Sequence, residues 1–234
     1  MHRATNVRLV MATTLIPIFP LPNVVFFPKV FLPLHIFEPR YKQMVTDVLE
    51  NERQIGMILL KEGGQPEMPG LPLLYNVGCM GRIEAYEKLP QGRFNILLHG
   101  LNRFEIVKFV KEKPYHTALV NVLDDAPSRR ETHEQLRARD HLLERFFTYF
   151  NQVLGLDVNE ERWDRNASLE MIVNQVAAIL DIPVQHKQQL LETTAVERRL
   201  DLVQGIVDDR LNYAEKLRRI VLNMRFVPED PEYN

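Results

Sequence analysis

Nucleophilic catalysis by serine needs a serine beside a base and an oxyanion hole, and this chain has only two serines, Ser128 and Ser168. Ser128 stands in a charged connector. Ser168 opens an apolar-periodic run, where it reads as a helix N-cap. The single cysteine, Cys79, sits among small residues in Val77-Gly-Cys-Met-Gly81, the setting of an inert core thiol. One sulfur excludes an internal disulfide and a thiolate metal cage. Of the seven histidines, His133 begins the string that comes nearest to a metal motif, but four residues on stands Arg137 instead of the second histidine of a zinc-peptidase helix. His133 and His141 share a helical face without further ligands nearby. Gly63-Gly64 lacks the spacing and the Lys-Ser/Thr of a phosphate loop. The inventory therefore predicts a non-enzyme with no catalytic residue, no metal and no cofactor.

The elements around these residues fall into two patterns. The chain has 234 residues, 45% hydrophobic and 26% charged, with net charge −2, enough to bury one large core or two small ones. From Leu15 to Asp125, short runs rich in Val, Ile, Leu and Phe are punctuated by proline and glycine, the pattern of strands. Strands are predicted over 16–19, 30–37, 55–60, 77–86, 94–99, 104–110 and 115–123, with tight turns at Pro90–Gly92 and Gly100–Asn102 and an exposed loop at Lys61–Gly70. One helix at about 39–51, opened by Pro39, carries Tyr41, Met44, Val45, Val48 and Leu49 on one face. Together these imply a strongly bent sheet or partly closed barrel. His35 alternates onto the face opposite Leu34 and Ile36 and reads as a hydrogen-bonded structural residue.

After the connector 124–130 the apolar period becomes helical. Helices are expected over 136–154, 169–180, 185–193 and, longest, 196–224. The last carries a stripe of Leu200, Val203, Val207, Leu211, Ala214, Leu217 and Val221, either covered inside a bundle or shared with a second copy in a weak homodimer. The aromatic run Arg145–Phe150 reads as buried core instead of a base-stacking platform. The tail Glu229–Asn234 is acidic and carries no packing signal. The expected division is a β-rich domain at 1–125 and a helical bundle at 126–234. The first holds 14 basic against 12 acidic residues and the second 15 against 19, which argues against an electrostatic nucleic-acid binder. The N-terminal run after Arg8 is broken by Pro17, Pro20 and Pro22 before it reaches signal-peptide length, and no window has the length of a membrane helix. The reading is a soluble, cytoplasmic protein without a membrane partner.

Beyond composition, the order of residues is familiar. Ile16-Pro-Ile-Phe-Pro-Leu-Pro-Asn-Val-Val-Phe-Phe-Pro28 followed by Leu32-Pro-Leu-His-Ile-Phe-Glu-Pro-Arg-Tyr41 closely resembles the start of the N-terminal domain of Lon proteases, especially its stand-alone bacterial relatives. Tyr75–Ile83, Leu98–Ile106 and Tyr115 resemble later strands of that domain, and Lys187–Glu192 with Arg198–Leu200 its final helices. The resemblance spans about Leu15 to Val221. It implies an α+β fold, a PUA-like β-domain (pseudobarrel) followed by a helical bundle, without the ATPase and Ser-Lys protease modules that perform the chemistry in Lon. Lys29 stands where similar sequences often carry glycine.

The functional expectation is a non-catalytic module that recognises unfolded polypeptide or a partner protein, in an adaptor, chaperone-like or quality-control role. A bent sheet beside helices leaves a groove, and a sheet edge can accept a strand. The residues singled out for peptide binding are Phe26, Phe27, Phe37 and Tyr41, with Arg40 as a polar contact. The alternative is an RNA-associated PUA-like factor with a basic patch at Lys108, Lys111 and Lys113, a reading that rests on fold analogy.

Overall fold

A computed structural model describes residues 13–63, 72–110, 114–123, 131–156, 158, 160–164 and 166–225. The N-terminal run to Met11, most of the loop at 61–70, Lys111, Lys113, the connector with Ser128, and the acidic tail lie outside the described residues. Six strands, β1 (Thr13–Leu21), β2 (Phe31–Ile36), β3 (Gln54–Leu59), β4 (Val77–Leu89), β5 (Arg93–Val110) and β6 (His116–Leu123), form one sheet in the order β2-β5-β4-β3-β1-β6, and β6 pairs back onto β5. The last pairing closes β5, β4, β3, β1 and β6 into a ring, with β2 attached outside it on β5. The bent or barrel-like sheet expected from sequence is present. Its interior holds Ile16, Ile18, Ile58, Leu74, Met80, Phe104, Ala118 and Val120. The helix α1 (Pro39–Leu49) has Pro39 in its first turn and buries Tyr41, Met44, Val45 and Val48, the face its spacing predicts.

One expected turn is absent. Gly100–Asn102 does not reverse the chain; β5 runs through it unbroken for 18 residues. Strand and turn are separated here by packing, because Gly100 serves a close approach. A Cβ at Gly100 would lie 2.1 Å from the carbonyl oxygen of Phe27. Opposite it, the Lys29 N–H donates to the Gly100 carbonyl at 2.8 Å, the Gly100 N–H donates to Val30 at 2.9 Å, and Lys29 has φ +63°. That is a bulge whose first residue occupies the left-handed region glycine prefers. The expected turn at Pro90–Gly92, in contrast, is present, with left-handed Gln91 and Gly92. Lys29→Gly should raise stability by about 0.5–1 kcal/mol by relieving the left-handed strain, read as a higher urea midpoint at unchanged m-value. A lower midpoint would show that the lysine stem contributes more than its backbone strain costs.

The chain divides into two compact units, one of Met1–Arg129 with Ala177–Ala195 and the other of Arg130–Val176 with Val196–Asn234. Within the first unit, α4 (Val184–Glu192) is fastened to the sheet by two buried side chains. Gln188 Nε2 donates to the Val77 carbonyl at 2.9 Å, and Arg103 Nη1 donates to the Leu191 carbonyl at 3.2 Å. In the second unit, α2 (His133–Thr148) starts at a capping box in which Thr132 and Gln135 satisfy each other's backbone N–H. Phe146 and Phe147 are buried and pack on Trp163 with ring centroids 5.2 and 5.7 Å away, the first tilted and the second edge-on, the core role expected of the aromatic run. Ser168 caps α3 (Leu169–Ile179) through the Met171 N–H. Helix α5 (Val196–Arg225) buries Leu200, Val203, Val207 and Leu211. Leu217 and Val221 are exposed, so the predicted stripe is covered only over its first half.

Candidate functional site

The first unit contains a cleft of about 630 Å³ lined by Phe19 to Pro22 at the end of β1, Leu34 to Phe37 at the end of β2, Glu38, Arg40 and Tyr41 at the start of α1, and Leu60, Pro72 and His116. The local sequence explains this concavity. Pro20 and Pro22 stiffen the exit of β1, and Pro39 starts α1 immediately after β2, so three elements converge with apolar side chains turned towards one another.

Of the five residues singled out from sequence, this cleft gathers three. Phe37 is 60% exposed at its rim and stands 6.1 Å, ring to ring, from His35. Tyr41 is buried in the wall, its ring 4.2 Å from that of Phe19. Arg40 is exposed and lies 4.7 Å over the Tyr41 ring, with its Nη2 2.9 Å from Glu38 Oε2. Phe26 and Phe27 lie elsewhere. Both are buried in the core, Phe26 against Gly81 and the Phe27 backbone against Gly100. Residues not singled out, among them Phe19, Pro20, Leu34, Leu60 and His116, supply most of the lining. The double-proline string was the one signal that pointed to part of this set. His116 carried none, because only β1–β6 pairing brings it to Ile18.

The polar character of the cleft is muted. Glu38 and Arg40 neutralise each other. Burial pushes the Tyr41 hydroxyl above its ordinary value, with Arg40 drawing it down and Glu38 raising it again, so Tyr41 remains a neutral donor. His35 is exposed instead of sequestered, and it is hydrogen-bonded as expected, Nδ1 to Asn95 Oδ1 at 2.8 Å. Asn95 in turn donates to Glu87 at 3.1 Å. Cys79 is fully buried. Among the described residues no three His, Cys, Asp or Glu side chains are grouped to hold a metal ion, and no helix is long and apolar enough to cross a membrane.

The family model of the substrate-binding domain of the ATP-dependent protease La (LON) matches residues 15–209. The chain belongs to this LON substrate-binding domain family. It is 28% identical over 198 residues to a Lon protease of Anaeromyxobacter dehalogenans, covering 80% of this chain and 22% of that protein. To Lon protease 2 of Myxococcus xanthus it is 29% identical over 207 residues, covering 80% and 23%. The chain thus spans less than a quarter of these two relatives. Among solved structures, the N-terminal domain of a Mycobacterium avium complex Lon protease superposes with TM-score 0.63 at 14% identity, covering 84% of this chain and 99% of that one. A Lon N-terminal domain protein from Xanthomonas campestris gives 0.58 at 21%, covering 82% and 98%. At these identities the likeness shows the fold. The α+β architecture and the LON N-terminal domain resemblance read from the first motif both hold. As a LON substrate-binding domain, the chain is a substrate-binding module.

Proposed function

We propose that the cleft between β1, β2 and α1 binds exposed apolar segments of unfolded polypeptide, and that the chain acts in the cytoplasm as a non-catalytic adaptor or chaperone-like quality-control factor, as a monomer or weak homodimer. The observation that carries this reading is Phe37, a large aromatic side chain 60% exposed at the mouth of a mostly apolar cleft. An exposed aromatic beside a concave apolar surface is a typical binding anchor.

The test is binding of a permanently unfolded, reduced and alkylated model protein to the full chain. Saturable binding with suppressed aggregation of the model protein is expected, and Phe37→Ser should weaken it about tenfold or more, the worth of one buried aromatic side chain. Because Phe37 is largely exposed, the substitution should change folding stability by less than about 0.5 kcal/mol. Affinity no greater than that for a folded control protein would overturn the reading. So would unaltered binding by Phe37→Ser.

A further inference from the structure

Two of the strands that line the cleft keep an open backbone edge there. Strand β6 covers β1 only from Thr13 to Ile18, so Phe19, Pro20 and Leu21 pair with β3 alone. Strand β2 pairs with β5 alone. Among the described residues, no strand lies along the second edge of either segment, and both segments line the cleft.

The directions of their backbone groups follow from the hydrogen bonds at the neighbouring positions. Gly100 donates to Val30 at 2.9 Å, so, by the alternation of an antiparallel ladder, Leu32, Leu34 and Ile36 turn their N–H and C=O towards β5. Pro33, His35 and Phe37 turn theirs to the open edge. Pro33 thereby sits where its missing N–H removes no ladder bond, and His35 and Phe37 supply the N–H donors there. On β1, Leu60 donates to the Leu21 carbonyl at 3.0 Å, which orients Leu21 towards β3 and the Pro20 carbonyl to the opposite edge. The open edge of β2 thus presents strand-type donors beside the apolar side chains of the cleft.

We infer that the cleft takes its ligand as an added strand: an extended, uncharged segment of about four residues, hydrogen-bonded to the open edge of β2 and packed on Leu34, Phe37 and Tyr41. The inference rests on the cleft being the polypeptide site and specifies how it binds. Charge selects the same occupant. With Glu38 and Arg40 paired to each other, the lining offers no other carboxylate, ammonium or guanidinium to meet a buried Lys or Asp of the ligand, and burying such a charge alone is strongly unfavourable.

The experiment uses the full chain and a short capped peptide alternating valine and threonine, with two versions N-methylated on alternate residues, one for each edge. Strand addition predicts that the parent peptide binds, that it slows amide hydrogen exchange at His35, and that at least one methylated version binds about tenfold or more weakly. If the parent binds but either the His35 amide stays unprotected or both methylated versions keep full affinity, strand addition is wrong while the cleft reading survives. If the parent peptide and the unfolded model protein both fail to bind, the two fall together. If only the parent peptide fails, strand addition alone is overturned.

Discussion

Gly100→Ala should destabilise the protein by about 3 kcal/mol or more and lower its melting temperature by about 6–12 °C. The added methyl would meet the Phe27 carbonyl oxygen at 2.1 Å, the Phe27 carbonyl carbon at 3.0 Å and the Pro28 Cα at 3.1 Å. All three are backbone atoms, which cannot rotate away as the end of a side chain could. Relief requires separating β5 from the 27–30 segment, and that breaks the paired bonds through which Gly100 holds Lys29 and Val30. Those bonds start β2, whose far end forms one wall of the cleft. The substitution should therefore weaken polypeptide binding as well as stability, although Gly100 does not line the cleft. Calorimetry reads the first effect and titration with the unfolded model protein the second. A melting temperature within about two degrees of the parent would mean that the strand shifts without cost, contrary to the packing described.

Arg103→Ala should cost about 3–4 kcal/mol, two to three orders of magnitude in the folding equilibrium. Arg103 is 1% exposed and crosses from β5 to the last turn of α4, where its Nη1 reaches the Leu191 carbonyl. The final carbonyls of a helix have no intrahelical donor and carry the negative end of the helix dipole, so a guanidinium from the sheet serves as a remote cap. Two variants separate the contributions. Arg103→Met keeps much of the volume but removes the donor, and should cost about 2 kcal/mol. Arg103→Lys keeps the charge on a shorter, single-headed group and should recover only part of the loss. Urea unfolding measures all three. If Arg103→Met were as stable as the parent, the desolvation of a buried guanidinium would outweigh its bond to α4, and the helix would be held by Gln188 and apolar packing instead.

Much of the architecture was legible in the residues because it depends on local period. The alternation in 16–19 and 116–123 and the 3–4 spacing in 39–49 each record which face is buried, so strand and helix identity followed directly. The motif from Ile16 to Tyr41 placed the chain in its family. Gly100 shows the limit: next to leucine and asparagine, glycine is a good turn former, and only the presence of Phe27 across the sheet makes it a point of close approach. The same limit divided the five residues chosen for binding. Phe26, Phe27 and Phe37 have the same chemistry and lie within one motif, yet two are core and one is a rim, because burial depends on what covers a side chain and sequence spacing does not record that.

The sequence by itself determined the family, the α+β class and most of the element types. Each of these is written in residue identity and short-range spacing. Only the tertiary structure decided that the pairing of β6 on β1 ends at Ile18, that among the described residues β2 pairs with β5 alone, that α4 returns to the β-rich unit under Arg103, and that His116, Phe37 and Tyr41 line a common cleft. These are long-range pairings. They are fixed by which burial and hydrogen-bond arrangement satisfies the whole chain at once, and no window of local sequence contains them.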